Sequence, residues 1–349
     1  MSQGSSTSPW WAPERHEDRL PFLRARGAVT GALRGWFAAA GFTEVETGLL
    51  QVSPGNEVHL HALRANVTAP DGTRRERYLR TSPEFACKKL LAAGERRLVE
   101  FARVFRDREG GDLHLTEFTM LEWYRAGAPL AQIIDDSLAV VAAAARATGI
   151  AGFAFRGRHA DPHAPAERLT VAEAFHRHAG IDLLATIRDG AGDRDALAAA
   201  AAPLLSVRAD DTWSDLFSKL LVARIEPRLG EGRLTVLSDY PAPEAALARL
   251  SAGDARVAER FELYACGVEL ANGFAELTDA DEQARRFSEA MDEKQRRYGE
   301  RYPVDADFIA AVGRMPPASG VALGLDRLVM LAAGARRIQD VVWTPEGPA

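Results

Sequence analysis

Two arginines lie where a guanidinium is costly unless an anion meets it. Arg106 ends the apolar segment 98–106, and Arg327 sits in Ser319-Gly-Val-Ala-Leu-Gly-Leu-Asp-Arg-Leu328, between an apolar strand and an apolar helix. Burying a charge at such a join is expensive without a partner. A guanidinium presents planar, paired donors, so two of them arriving from distant parts of the chain suit a polyphosphate held bent and in register.

Carboxylates supply the other half of the pattern. In Glu117-Phe-Thr-Met-Leu-Glu-Trp-Tyr124 a period of two puts Phe118, Met120, Glu122 and Tyr124 on one face. A carboxylate among three large side chains needs a cation, either an Arg or Lys of this chain or a bound group. Further on, Glu262, Glu269 and Glu276 surround Asn272 and two glycines. Strict alternation separates Glu262 from Glu269, and they converge only if Gly267 makes a turn or bulge. Beside two phosphate-binding arginines they suit Mg2+, which takes one or two protein carboxylates plus nucleotide phosphates. A solvated strand edge would explain the charges, but not Asn272-Gly273 beside them. Glu84, after Thr81-Ser-Pro83, either meets a ligand or simply favours a helix N-terminus.

The elements that must carry these groups follow from periodicity and punctuation. Val29, Leu33, Trp36 and Phe37 recur at helical spacing before Gly41, predicting a first helix over about 15–40. Strands are expected at 44–50, at 58–67 and 75–79 around Pro70-Asp-Gly72, at 98–106 and at 117–125. Ser82-Pro83 reads as an N-cap with proline at the first helical position, and Gly94 closes that helix. An Ala-rich helix over 129–149 precedes a stretch, about 150–210, poor in large apolar residues and expected to be a peripheral insertion with helices at 169–179 and 193–202. A helix over 214–225 capped by Ser214, strands at 234–237, 261–268 and 274–276, and a helix over 280–298 follow. The last strand, 321–323, enters a Gly turn and a helix ending before Gly334. Strands at both ends with helices between predict an α+β domain around an antiparallel sheet.

Composition sets the outer bounds. A chain of 349 residues with 47% hydrophobic content can bury a large core. It has no run of about 18 apolar residues and no signal-peptide pattern, so no membrane association is expected, and residues 1–14 read as a disordered tail before a domain over 15–349. Cys87 and Cys266 lack metal-ligand spacing, which argues against a disulfide framework or structural zinc and fits the cytoplasm. A net charge of -6 with no basic run argues against a grip on a nucleic-acid backbone.

The blocks Arg103-Val-Phe-Arg-Asp-Arg-Glu109, His114-Leu-Thr-Glu-Phe-Thr-Met-Leu-Glu-Trp-Tyr124 and Ser319–Leu328 resemble motifs 2 and 3 of the class II aminoacyl-tRNA synthetases in their lysyl form. With Arg256-Val-Ala-Glu-Arg-Phe-Glu262 and Glu269-Leu-Ala-Asn-Gly-Phe-Ala-Glu-Leu-Thr-Asp279, the chain is most similar to the small branch that attaches β-lysine to elongation factor P. That resemblance implies a class II-like antiparallel sheet flanked by helices, without the anticodon-binding OB domain. It implies an ATP- and Mg2+-dependent ligase, a homodimer, that adenylates (R)-β-lysine (α-lysine weakly) and transfers it to a lysine of elongation factor P, with no tRNA partner. Minimal tRNA acylation, or a catalytically impaired lysine- or ATP-binding regulator, are the alternatives.

Residue roles follow from the same resemblance. Arg106 is expected on the α-phosphate and substrate carboxylate, and Arg327 on the distal phosphate or adenine face. Phe118 stacks on adenine, with His114 near the phosphates and Asp107, Arg108, Glu109, Leu115, Leu270 and Gly324 completing the ATP site. Glu262 and Glu269 hold magnesium. Glu122, Tyr124 and Glu276 receive the distal ammonium, Ser82, Pro83 and Glu84 lie near the other amine, and Asn272 lies near the carboxylate. Ala322, where lysyl synthetases usually have glycine, narrows the pocket against α-lysine. Departures from the family pattern are Arg108 for a glutamate that faces adenine, Leu115 for an ATP-touching asparagine, Gly48 for a motif 1 proline, and the stretch Ala198 to Ala202.

Overall fold

The fold is described for residues 9–345 of a computed structural model. The expected tail falls mostly outside the described residues. Eight strands make the main sheet, labelled here in chain order: β1 (Thr43–Glu44), β2 (Arg97–Phe105), β3 (Glu117–Ala126), β4 (Glu167–Thr170), β5 (Thr235–Pro241), β6 (Val257–Ala265), β7 (Val268–Ala275) and β8 (Ala318–Gly324). Their spatial order is β1-β2-β3-β8-β7-β6-β5-β4. The two edge pairs, β1 with β2 and β5 with β4, are parallel, and every interior pair is antiparallel. Motifs some 200 residues apart thereby become neighbours, because β3 and β8 lie side by side.

Helices cover one face of this sheet. Leu23, Val29, Leu33 and Phe37 form the buried stripe of α1 (Pro13–Ala39), which ends at Gly41 with φ +74. Phe37 packs on Trp123 of β3 with ring centroids 5.2 Å apart. With α3 (Leu130–Thr148) and the C-terminal helix Leu325–Ala333, α1 completes the main core. The opposite face of β3, β8 and β7 is left to line a cavity. Its far wall is α2 (Glu84–Ala92) and the helix Ala280–Tyr298.

Several expectations are corrected by geometry. Residues 44–50 are not one strand but two short pieces, Thr43–Glu44 and Leu50–Gln51. The hairpin around Gly72 is Arg64–Thr68 with Arg74–Leu79, so 58–63 is irregular. Pro83, not Ser82, occupies the N-cap position of α2, although the Ser82 hydroxyl still accepts from the Glu84 amide at 3.0 Å. Thr212, not Ser214, caps the helix Trp213–Leu220, in a capping box with Asp215, and residues 221–225 continue it as a π turn. The segment 150–210 contributes more than an insertion. Its strand β4 closes one sheet edge, and Phe175 and Leu197 join Trp213, Phe217 and Tyr240 in a second core.

One ion pair fixes the motif-bearing elements to each other. Asp326 accepts from Arg26 of α1 and, at 2.7 Å, from the Thr119 amide of β3, while Arg26 Nη2 donates to Thr119 Oγ1 at 2.9 Å. All three groups are buried. Breaking such a pair strands the remaining charge at about 3–5 kcal/mol. Arg26→Met is therefore expected to lower unfolding free energy by about that much in urea denaturation, and Arg26→Met with Asp326→Leu to recover a large part of it. An Arg26→Met variant as stable as the parent would show that the pair does not hold these elements.

Candidate active site

The cavity has a volume of about 1030 Å³ and is floored by alternate residues of three strands. From β3 come Phe118, Met120, Glu122 and Tyr124, the face expected from period two; from β8 come Gly320, Ala322 and Gly324. Strand β7 contributes Glu269, Leu270, Asn272 and Phe274, with Glu276 just beyond its end. Glu269 shares their side for two reasons. The β6–β7 turn at Cys266 (φ +54) and Gly267 (φ +73) is tight, and places Glu269 opposite Tyr264. A bulge beyond it shifts the frame, so that Glu262 faces Asn272.

At one end of the cavity stand the two arginines. The Arg106 guanidinium lies 5.3 Å from the Phe118 ring centroid, and its buried Nε has no hydrogen-bond partner among the described residues. Arg106 lines the cavity, so an anionic ligand bound there would meet a guanidinium that the protein leaves incompletely paired. Arg327 Nη2 lies 2.7 Å from His114 Nε2, and Nη1 donates to the Glu269 carbonyl at 3.0 Å. Arginine can only donate, so His114 Nε2 accepts and its proton sits on Nδ1. Burial first, then the Arg327 charge, pushes His114 below the usual imidazole range, consistent with a neutral ring.

Glu122 sits at the other end, with no cation beside it among the described residues. Ser82 Oγ and Tyr124 OH donate to its two oxygens at 2.6 and 2.7 Å. Burial, reinforced by the Glu84 charge, pushes its carboxyl up to about 8. Glu84 and Glu276 do have a cation, and it was not foreseen. Lys88 Nζ lies 2.6 Å from Glu84 and 2.7 Å from Glu276, wholly buried, at ion-pair angles rather than those of aligned hydrogen bonds. Burial alone would lower this lysine, but the two carboxylates raise it, so it stays charged. Burial still lifts Glu276 to about 7 against the pull of Lys88. Three carboxylates, only two of them paired with the one ammonium, leave two negative charges to be met from outside or titrated away.

Other expected site residues are placed differently. Glu109, His114, Leu115, Leu270, Asn272, Ala322 and Gly324 line the cavity, whereas Pro83, Asp107, Arg108 and Glu262 do not. Arg108 adopts φ +64 and pairs with Glu300. Glu262 is held by Arg260 at 2.7 Å and by Tyr264 OH at 2.6 Å. Asn272 spends its carbonyl on Arg260 at 3.2 Å. Of the two carboxylates expected to hold a metal, only Glu269 therefore reaches the cavity. Glu226, another residue unforeseen, stands near both and is raised to about 7 by burial and then by their charges. No cluster of three or more His, Cys, Asp or Glu that could hold a metal occurs among the described residues.

Known proteins resemble this chain in sequence over most of its length. The family described as tRNA synthetases class II (D, K and N) matches residues 10–347. A protein of Salmonella arizonae named elongation factor P–(R)-beta-lysine ligase is 38% identical over 97% of this chain and 98% of its own length. One of the same name from Yersinia enterocolitica is 37% identical over 94% and 95%. The chain belongs to this ligase family. Its fold is thus the class II tRNA synthetase fold, and no OB domain is indicated within the matched residues.

The raised carboxyl of Glu122 makes a testable demand on stability. Folding lifts it from 4.5 to about 8, so between those values the folded chain holds a proton that the unfolded chain has lost. Its contribution is complete below about pH 4.5 and is lost as pH rises through about 8. Without ligand, Glu122→Gln should match the parent near pH 4.5 and become progressively more stable than it toward pH 8.5, read by denaturant melts. A difference that stays flat with pH would contradict a proton on Glu122.

Proposed function

We propose that this chain is an ATP-dependent ligase that adenylates (R)-β-lysine and transfers it to the ε-amine of a lysine on elongation factor P. The observation that carries it is the pairing of an unmatched acidic pocket, Glu122 with Glu84 and Glu276 around Lys88, with the unpartnered donor of Arg106 in one cavity. A β-lysine offers two ammonium groups and one carboxylate, and the pocket lacks two positive charges. The names of its relatives support the same substrate and acceptor.

In the first step the substrate carboxylate attacks the α-phosphorus of ATP and pyrophosphate leaves. Arg106 steadies the carboxylate and α-phosphate, and Arg327, aligned by His114 and Glu269, the distal phosphates; catalysis is positioning and charge stabilisation. Magnesium, when bound with the nucleotide, would lie on Glu269 and neutralise phosphate charge, since the Glu262 oxygens are engaged by Arg260 and Tyr264. In the second step the acceptor amine displaces AMP. We place the enzyme in the cytoplasm as a homodimer without tRNA; no described helix is long and apolar enough to cross a membrane.

ATP–pyrophosphate exchange with β-lysine, α-lysine and norleucine tests this directly. Arg106→Ala or Arg327→Ala should cut exchange by about 10²–10³. Norleucine, lacking the distal amine, should be poorer than lysine by roughly 10⁴–10⁵. Comparable exchange with norleucine would sink the ammonium pocket, and transfer to bulk tRNA instead of elongation factor P would favour the synthetase alternative.

Ala322 offers a separate check on isomer choice. Its cross-strand neighbours are Glu122 and Asn272. A methyl group there is worth about 10–200-fold. Ala322→Gly should therefore raise kcat/KM for α-lysine relative to β-lysine, and an unchanged ratio would remove this residue from the choice.

A further inference from the structure

Glu57 belongs to none of the groups assigned above. It lies in an irregular segment, 53–60, on one side of the cavity, and its flanks are tied down. Buried Asn56 donates from Nδ2 to the Pro303 carbonyl at 3.3 Å. On the other side the buried ammonium of Lys294 donates to the carbonyls of Val58 at 3.0 Å and Leu60 at 2.7 Å. Gly55, at φ +123, makes a bend that a side chain would oppose. Between these anchors the Glu57 side chain is open to the cavity yet crowded by protein, and no hydrogen bond among the described residues engages it.

The charged groups around it are Arg106, Glu84, Arg260 and Lys294. Glu57 thus stands between the arginine at the reacting end and the glutamate at the amine end. Although the side chain is exposed at the cavity wall, desolvation by the protein packed around it raises its carboxyl above the ordinary range despite Arg106, so it accepts a proton more readily than a carboxylate on the outer surface. Neither ATP nor β-lysine has a group left for it, since their phosphates, carboxylate and ammonium groups are met elsewhere. The remaining reactant is a protonated alkylamine. At neutral pH only on the order of one lysine side chain in 10³ carries a free lone pair.

We propose that Glu57 binds the ε-ammonium of the acceptor lysine and takes the proton whose loss makes that amine a nucleophile. This rests on the two-step function above. The ammonium gives one proton to the Glu57 carboxylate, and the nitrogen lone pair forms a bond to the acyl carbon. The bond from that carbon to the phosphate oxygen breaks, its electron pair leaving with AMP. The second N–H proton passes to water as the amide forms.

The test compares the steps in Glu57→Gln and Glu57→Asp of the full chain. Exchange with β-lysine reads the first step. Single-turnover transfer of preformed β-lysyl adenylate, to elongation factor P or to hydroxylamine, which is already unprotonated at neutral pH, reads the second. Glu57→Gln should lower transfer to elongation factor P by about 10²–10⁴ more than it lowers exchange. That extra loss should shrink as pH rises from about 7 to about 10, and hydroxylamine capture should follow exchange. Glu57→Asp should recover part of the transfer. Parallel losses in both steps, or an extra loss that ignores pH, would overturn the proposal alone. Absence of exchange in the unmodified enzyme would overturn the two-step function, and this proposal with it.

Discussion

A carboxylate held in a protein wall by two hydroxyl donors, with no cation beside it among the described residues, is a poor anion until a cation arrives. That is the situation of Glu122, and the cavity is arranged around it. Its neighbours Glu84 and Glu276 would compound the repulsion were Lys88 not buried between them. Lys88 does not cancel the acidity. It keeps two carboxylates in place at close range while leaving the pocket short of positive charge. Without ligand, protons make up the shortfall, as the raised values of Glu122 and Glu276 indicate. Under the proposed function, an ammonium-bearing ligand would replace those protons, and the site would select for charge as well as shape.

Such a site works only if the strands beneath it cannot slide. Strand β8 carries no large side chain on its cavity face, where Gly320, Ala322 and Gly324 lie beside Tyr124, Glu122 and Met120 of β3. A Cβ at Gly320 would come within 2.3 Å of the Tyr124 ring and 2.5 Å of a Glu276 oxygen. The glycine is therefore the space that lets both pocket groups close in. Asp326 ties the start of the following helix to β3 and α1, and Arg327 is the next residue. The arginine end and the carboxylate end of the cavity are thus fixed by one short stretch of chain.

Much of this was legible in the sequence, for reasons that differ by residue. Period two gave the cavity face of β3 because a strand buried on both sides still alternates strictly. The need for a turn at Gly267 followed from the parity of Glu262 and Glu269, but parity could not show that Arg260 and Tyr264 would claim Glu262. Lys88 was missed because Glu84 and Lys88, four residues apart on a helix, look like an ordinary surface pair. Only the packing of α2 against the sheet makes them interior. Glu57 lies in an irregular loop, where no periodicity assigns a direction. Arg108 was read as facing a nucleotide, yet its positive φ turns it toward Glu300.

Under the proposed function, charge and shape would divide the work of recognition unequally. A methyl at Ala322, between Glu122 and Asn272 across the sheet, can alter preference among isomers by one or two powers of ten. It cannot by itself exclude an abundant competitor. Under the proposed function, a compound without the distal amine would leave these carboxylates to be neutralised by protons alone, and would be disfavoured on charge. Among diamino acids of one formula that penalty vanishes, because each brings the same two ammonium groups. On that reading, discrimination within the set would come from where the second amine falls relative to Glu84, Ser82 and the Ala322 methyl. Under the proposed function, the acidic pocket would set the substrate class, and the small residues of β8 would refine the choice within it.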